Sequence, residues 1–279
     1  MVTIVLEKAQ KIEREVFKGL NSLISIKVYN GGGLPYGSIQ IQDKKITSST
    51  IQQYKNTIDT IVLCDSLIEI EKGAFENCSS LTTVELPNNI ERIGKEVFKD
   101  CDQLSSVEFL DSTIPKGMIT EGVPMDQEVD PSTASTNKNI GRFCSMGEGI
   151  FSNCTSLTNL ILSNHIDIIG AQSFYNCSKL KIIKLSDKLR KIEPYTFLDC
   201  VALEEVEIGK NIELIDNGAF DNCNSLKTIT IETENPPQIK GNFSLNSSVK
   251  IYVPNNKIVD YQCQWGAYRS QIEGLSSKP

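Results

Sequence analysis

Residues 75–104 read FENCSSLTTVELPNNIERIGKEVFKDCDQL, and within them Phe75, Cys78 and Leu81 return as Phe98, Cys101 and Leu104 after 23 residues. Periods of 20–50 residues are the signature of solenoids. The triplet recurs as Phe151, Cys154 and Leu157, as Phe174, Cys177 and Leu180, as Phe197, Cys200 and Leu203, and as Phe220, Cys223 and Leu226. A first copy, Phe17, Leu20 and Leu23, has Leu in place of Cys. A last one, Phe243, Asn246 and Val249, has Asn there. The one long gap among the six Cys-bearing copies, 53 residues from Phe98 to Phe151, is one period plus 30.

Between two such triplets the chain follows one template. Leu81, Val84 and Leu86 alternate with Thr83 and Glu85, the pattern of a half-buried strand. Pro87-Asn88-Asn89 ends the strand, because Pro cannot donate to a ladder and Asn favours turns. Ile90 and Ile93 then face inward, Gly94 permits a bend, and Val97 and Phe98 pack the next corner around the inward Cys. The same strand is expected over 157–162 from Leu157, over 180–185 from Leu180 and over 203–208 from Leu203, each followed by its inward Ile or Leu pair. Ile61 and Leu63 stand one period before Val84 and Leu86. Coils stacked at a strand spacing of roughly 4.8 Å would join these side chains into one core. Each large side chain fully buried contributes roughly 1.5–3 kcal/mol gross, most of it offset by chain ordering.

The repeat "GAFxNCxSLxxVxLPxxIxxIG" resembles the BspA-type leucine-rich repeat of surface antigens from anaerobic bacteria and some protists. It stands here as Gly73-Ala74-Phe75-Glu76-Asn77-Cys78-Ser79-Ser80-Leu81, and again as Gly218-Ala219-Phe220-Asp221-Asn222-Cys223-Asn224-Ser225-Leu226. The likeness covers about residues 58–110 and 140–270, with a weaker copy over 1–29. It implies an α/β solenoid: a right-handed leucine-rich repeat superhelix, with a parallel sheet on its concave face and an irregular or short-helical convex side. It implies no shared catalytic residues, and it implies export or a cell-surface location for the full-length protein.

One solenoid is expected over residues 1–270, with irregularities at 30–60 and 111–141, a C-terminal cap at 250–274 and a tail at 275–279. The 30-residue insertion carries Pro115, Pro124, Pro131 and the stretch DPSTASTNKN, which reads as a loop. After it, Phe143 and Met146 are expected at the sites held by Ile90 and Ile93. In the earlier irregularity, NGGGLPYG is a turn, SIQIQ a short strand, and SSTIQQY a brief helix begun by Ser or Thr. A degenerate turn is expected between Phe17 and Phe75. Near the C-terminus, Pro254 stops a strand over 251–253. Ile258, Tyr261, Trp265 and Tyr268 then recur at three- or four-residue spacing, an amphipathic capping helix. A solenoid needs such a cap over its last open edge.

A formal charge of −7 opposes a nucleic-acid role, which needs a basic field. No apolar run reaches the 18 residues of a membrane span, and no signal peptide is visible in this chain. Of nine cysteines, six stand in the repeat position and read as buried thiols. No Cys-x-x-Cys pair accompanies them, so neither a metal site nor a cofactor is expected. His165 is the only histidine and reads as a surface turn residue. Glu205 and Glu207 share one strand face at about 6–7 Å, which suits a solvated face as well as a carboxylate pair.

Function is therefore expected on the outward residues of the strands. By template these are Thr83, Glu85, Ser106, Glu108, Asn159, Ile161, Ile182, Lys184, Glu205, Glu207, Thr228 and Thr230, preceded by Thr60 and Val62. Three readings stand: a protein-binding or adhesion module with a partner that is host-derived or otherwise, a carbohydrate-binding module using Tyr36, Tyr54 and Tyr175, and a spacer with no ligand. Adjacent Ile161 and Ile182 supply the apolar anchor of the first.

Overall fold

The computed structural model describes residues 2–29, 38–54, 56–64, 66–110 and 143–278. The 30-residue insertion and Tyr36 lie outside the described residues.

Each regular coil runs from a long strand through a turn to a short strand, and then round a corner to the next long strand. Thr83–Pro87, Arg92–Ile93 and Ser106–Leu110 make one such circuit. Thr83–Pro87 pairs in parallel with Ser106–Leu110 one period on, Val84 opposite Val107. Leu81, Val84, Leu86, Ile90, Ile93, Phe98 and Cys101 are all buried. Period-2 alternation on the long strand and stacking of equivalent residues therefore produce the core that the template anticipates.

The strands begin later than the template has them. Leu157, Leu180 and Leu203 are fully buried, as expected, but each precedes its strand by two residues: the strands are Asn159–Ile161, Ile182–Lys184 and Glu205–Ile208. Leu81 stands in the same relation to Thr83–Pro87. These leucines close the corner instead. The amide of Leu157 donates to Cys154 O (3.0 Å), that of Leu180 to Cys177 O (3.1 Å) and that of Leu203 to Cys200 O (3.0 Å). Their amides are spent within the turn, so they are not free to join the ladder. An inward Leu two or three residues before the next inward side chain looks the same from a turn as from a strand, which is why alternation alone extended the strand too far.

The rest of the corner shows why the repeat reads F-x-N-C. Phe17, Phe75, Phe98, Phe151, Phe174, Phe197 and Phe220 form a stack with centroids 5.0–5.7 Å apart and planes within 14° of parallel. Two residues after each Phe the backbone turns left-handed, at Gly19, Asn77, Asp100, Asn153, Asn176, Asp199 and Asn222, with φ between 55° and 68°. Gly, Asn and Asp tolerate that conformation best. The Asn side chains also bond along the axis: Asn153 donates to Asp100 (2.8 Å), Asn176 to Asn153 (3.0 Å) and Asn222 to Asp199 (2.7 Å). Each column thiol donates to the Phe carbonyl of the adjacent coil, from Cys78 to Phe17 (3.1 Å) through Cys223 to Phe197 (3.2 Å). None of the nine cysteines, all of them among the described residues, is in a disulfide.

The N-terminal coil departs from the expected order. The strand Ser25–Val28 lies between Ile58–Leu63 and Thr83–Pro87. Val2–Leu6 lies between Ile39–Ile41 and Ile58–Leu63. Residues 2–28 are thus interleaved with residues 39–63. Ile61 and Leu63 precede Val84 and Leu86 by one period in sequence, yet Ile26 separates Ile61 from Val84 in the sheet. The degenerate turn expected between Phe17 and Phe75 in the sequence is the coil of Ile39–Ile41 and Lys45–Ile46, where the helix Ser48–Ile51 replaces the Phe corner. It lies at the edge of both sheets, so Phe17 stacks directly on Phe75. Thr47, just before SSTIQQY, caps that helix with a capping box to Thr50.

Two further departures follow the insertion. Cys144, not Phe143, sits in the core opposite Ile166, because the ladder slips by one residue between Cys144 and Ser145. Cys144 is buried and Phe143 is 52% exposed. A slip of one residue exchanges inward and outward faces, which accounts for the reversal. The second departure is a parting of both sheets. The long strands form a seven-stranded sheet ending at Asn159–Ile161 and a five-stranded sheet beginning at Ile182–Lys184. The short strands divide at the same coil boundary, after Ile166–Ile169 and before Lys191–Ile192. Among the described residues, the hydrogen bonds that cross it come from the corner and one turn. Phe174 N–H bonds to Thr196 O (2.9 Å) and Asn176 N–H to Leu198 O (2.9 Å), Phe174 stacks on Phe197 at 5.3 Å, and Ser186 Oγ donates to Asn164 O.

The C-terminal end is capped as expected, by different means along its length. The α-helix covers Ile258–Gln264 and continues as a 3-10 turn, Gly266–Gln271. Tyr261 Oη donates to Thr233 O (2.9 Å) and Trp265 Nε1 to Pro237 O (2.8 Å), while Tyr268 Oη reaches Phe243 O. Phe243 ends the stack by meeting Phe220, Trp265 and Tyr268 edge to face. A last strand, Ile272–Gly274, then pairs with Lys250–Val253.

Candidate functional site

The ladder registers bring the twelve outward candidates into rows. Thr83, Ser106 and Asn159 stand side by side, with Glu85, Glu108 and Ile161 beside them. Asn159 donates to Ser106 Oγ at 3.0 Å. Beyond the parting, Ile182, Glu205 and Thr228 form one row and Lys184, Glu207 and Thr230 the other. Ile161 and Ile182 thus stand on opposite lips of the parted sheet, 50% and 58% exposed. The flanking core residues Leu160 and Leu162 are left half-buried there, whereas Val107 in the preceding coil is closed off completely.

Three placements differ from the template. Thr230 is buried, and so is Val62. Thr230 lies under the C-terminal tail. That segment leaves the sheet at Gly274 and carries Lys278 back to Glu207 at 3.4 Å, across the strands of Tyr252 and Thr230. Interleaving also inserts Ser25 and Lys27 into the rows between Thr60 and Thr83, which the 23-residue count could not show. Third, Glu85 reaches back to accept the Val28 amide at 3.0 Å, so it braces that inserted strand.

The remaining chemistry of this face is ionic and solvated. Glu207 is held between Lys184 and Lys278, each at 3.4 Å, which commits it to ion pairs rather than to a partnership with Glu205. Such exposed pairs contribute about 0–1 kcal/mol each. His165 is exposed, its Nδ1 3.0 Å from Ser163 Oγ. Tyr54 packs against the N-terminal edge of the core, and Tyr175 follows Phe174 at a corner in the middle of the chain, so these two do not form one aromatic platform. Among the described residues no helix is long and apolar enough to cross a membrane, and no group of three His, Cys, Asp or Glu is placed to hold a metal.

The column thiols are chemically quiet. Burial pushes the Cys223 thiol up to about 12 and that of Cys144 to about 12, and raises those of Cys154, Cys177 and Cys200 as well. A neutral thiol donating to a carbonyl is a packing group and not a nucleophile.

Comparison with known proteins agrees with this architecture. A family model described as the BspA type leucine rich repeat region matches in six copies, over residues 2–115 and 144–264. No curated protein sequence matches the chain. Among solved structures, the chain is similar to a leucine-rich repeat protein from Bacteroides ovatus, with 20% identity and a TM-score of 0.50, over 99% of this chain and 70% of that one. A leucine rich repeat protein from T. pallidum aligns at 19% identity and a TM-score of 0.46, over 76% of this chain and 81% of that one. A leucine rich cell surface protein from Faecalibacterium prausnitzii aligns at 21% identity and a TM-score of 0.37, over 98% of this chain and 65% of that one. The fold is one typical of non-enzymatic protein-binding and adhesion modules. With the repeat, the stacked corners and the match over most of its length, the chain belongs to the BspA-type leucine-rich repeat family.

Proposed function

We propose that this module binds a protein partner through the outward face of its long-strand sheets, as an adhesion element at a bacterial cell surface. The observation that carries the reading is the pair Ile161 and Ile182, both exposed on facing edges of the two long-strand sheets, where the outward positions of the neighbouring strands Ser106–Leu110 and Glu205–Ile208 are polar or charged. An apolar centre with a polar rim is the usual anatomy of a recognition patch. The rim consists of Ser106, Glu108 and Asn159 on one side and Lys184, Glu205 and Glu207 on the other. Thr83, Glu85 and Thr228 extend it, and Thr230 is withdrawn from it by the tail. The net charge of −7 favours a partner that surrounds its own apolar contact with basic groups.

The test is a binding screen of the purified chain against immobilised host matrix proteins and a glycan array, run beside an Ile161→Lys, Ile182→Glu variant of intact fold. Saturable protein binding that the variant loses supports the reading. A glycan hit indifferent to the variant transfers the function to carbohydrate, and silence throughout leaves a spacer.

A further inference from the structure

Where the short-strand sheets part, side chains of the two lips border a cavity of about 610 Å³. Its volume falls within the usual range for ligand sites, roughly 300–1,000 Å³. Phe143, Asp167 and Ile168 line one wall, and Lys188, Arg190 and Asn211 the other. The strands beneath, Ile166–Ile169 and Lys191–Ile192, approach within 8 Å, Cα to Cα. A further strand between them would need two sheet spacings, roughly 9–10 Å. An occupant therefore rests on the walls, and their side chains set its chemistry.

Three features of the walls bear on that chemistry. The first is charge. Residues 179–191 carry six bases, Lys179, Lys181, Lys184, Lys188, Arg190 and Lys191, against the single acid Asp187, in a chain of net charge −7. Acids of the following coil pair with Lys184, Arg190 and Lys191. The preceding coil, residues 157–170, holds one acid, Asp167. The equivalents of Lys188 one period either way are His165 and Asn211, and among the described residues no ion pair engages it. The pair of Arg190 with Glu213 is exposed on both sides, and such a pair is worth about 0–1 kcal/mol, so Arg190 is easily shared. This wall calls for an anion. The second feature is an acceptor on the opposite wall. Among the described residues no hydrogen bond or ion pair engages the Asp167 carboxylate. An ionised carboxylate only accepts, so its complement is a donor such as a hydroxyl. The third is an apolar surface. The register slip turns Phe143 out of the core, and with Ile168, 49% exposed, it gives the cavity an apolar rim.

A ligand that answers all three carries an anion, hydroxyl donors and an apolar face on one small frame. A fatty or aromatic carboxylate lacks the donors, and a neutral sugar leaves Lys188 without its anion. We infer that this cavity is a second binding site, separate from the long-strand face, and that it takes an acidic sugar, a pyranose bearing a carboxylate. The carboxylate meets Lys188, with Arg190 turning from Glu213 to share it. A ring hydroxyl donates to Asp167, and the C–H face of the ring packs on Phe143. Charge-assisted bonds are roughly twice as strong as neutral ones, so the carboxylate carries most of the selectivity.

The probe is methyl β-D-glucuronide, titrated into the full chain at constant ionic strength and followed by NMR. Two controls run beside it: methyl β-D-glucoside, which has a hydroxymethyl group in place of the carboxylate, and acetate, which has the anion without the ring. Saturable binding of the glucuronide is expected with a Kd below about 10 mM, at least about fivefold tighter than either control. Lys188→Glu should reduce it to the level of the glucoside, and Phe143→Ala should weaken it at least about threefold. Both substituted residues lie outside the core, and circular dichroism checks that each variant is folded. Ile161→Lys, Ile182→Glu should leave it unchanged, so this site and the protein contact proposed above fail separately. The inference is overturned by equal binding of glucuronide and glucoside, by acetate binding as tightly as the glucuronide, or by no saturation at about 50 mM. It is overturned equally by glucuronide binding that Lys188→Glu leaves intact.

Discussion

Phe17 and Phe75 are 58 residues apart in the chain, yet their rings lie face to face, centroids 5.0 Å apart and planes within 2°. The contact is as regular as those between corners separated by 23 residues. It marks the first coil as an integral layer of the solenoid, clamped between two later passes of the chain. Residues near the start of a domain ordinarily fray. Here the strand Ser25–Val28 has a ladder on each side, and Ser25 Oγ lies 3.3 Å from Thr60 Oγ1.

Interleaving predicts an unusual protection pattern. The amides of Ile26 and Ile61 should exchange as slowly as that of Val84, within about tenfold, because all three are internal to the same sheet. Native-state hydrogen exchange checks this. Rapid exchange confined to residues 2–28 would show that the segment sits on an edge.

The left-handed corners predict a residue-specific penalty. Asn153→Ala should cost about 1–2 kcal/mol for the strained backbone and further for the lost bonds to Asp100 and from Asn176. Asn153→Gly, relieved of the strain, should cost less. Urea unfolding ranks the two, and an Ala variant as stable as Gly would remove the conformational explanation.

Thiol burial predicts both labelling and pH dependence. In the native chain a thiol reagent should modify exposed Cys263 first and half-buried Cys64 next, leaving Cys144 and the column thiols untouched until unfolding. The linkage has a definite sign. Folded values near 12 at Cys223 and Cys144 lie above the unfolded value of about 8.5. Their stabilisation is therefore complete below about pH 8.5 and declines as pH rises towards 12. Denaturation midpoints measured from pH 7 upwards should fall over that window, and a flat profile would contradict it.

Trp265, the only tryptophan, reports on the C-terminal cap. It is buried, bonded to Pro237 O and packed edge-on against Phe243 and Tyr261. Its emission should be blue-shifted in the folded chain, and Trp265→Ala should cost about 3–5 kcal/mol in the coils it covers. Solvent-exposed emission from a folded sample would show that the cap does not close the stack.

Much of this was legible because a solenoid repeats its own argument. Phe, Cys and Leu at fixed intervals gave the corners, and Val84 with Leu86 gave the strand face. What escaped was whatever the period does not encode. Leu157, Leu180 and Leu203 were readable as buried, but not as turn residues whose amides are already bonded. Interleaving of residues 2–28 is a choice of neighbour, and Ile61 looks the same whether Ile26 or Val84 lies beside it. The slip at Cys144 depends on a single bulge, and nothing in Phe143 announces that it faces out. Asn77 and its equivalents were visible in every copy, but their left-handed backbone was not inferred from them. At the candidate site, Ile161 and Ile182 were readable as outward residues by alternation alone. The parting between them was not, because neither coil lacks the residues its neighbours use to pair. Thr230 was lost to a tail whose path no local pattern specifies.

The most direct test of the binding account is a quantitative titration of a protein ligand from the screen against three forms of the chain: the native sequence, Ile161→Lys with Ile182→Glu, and Val259→Glu. Val259 is 69% exposed on the capping helix and serves as an apolar control away from the sheet face. The account predicts that the double variant loses at least about a hundredfold in affinity, near 2.7 kcal/mol, while Val259→Glu binds as the native chain does. Equal binding by all three forms would contradict it.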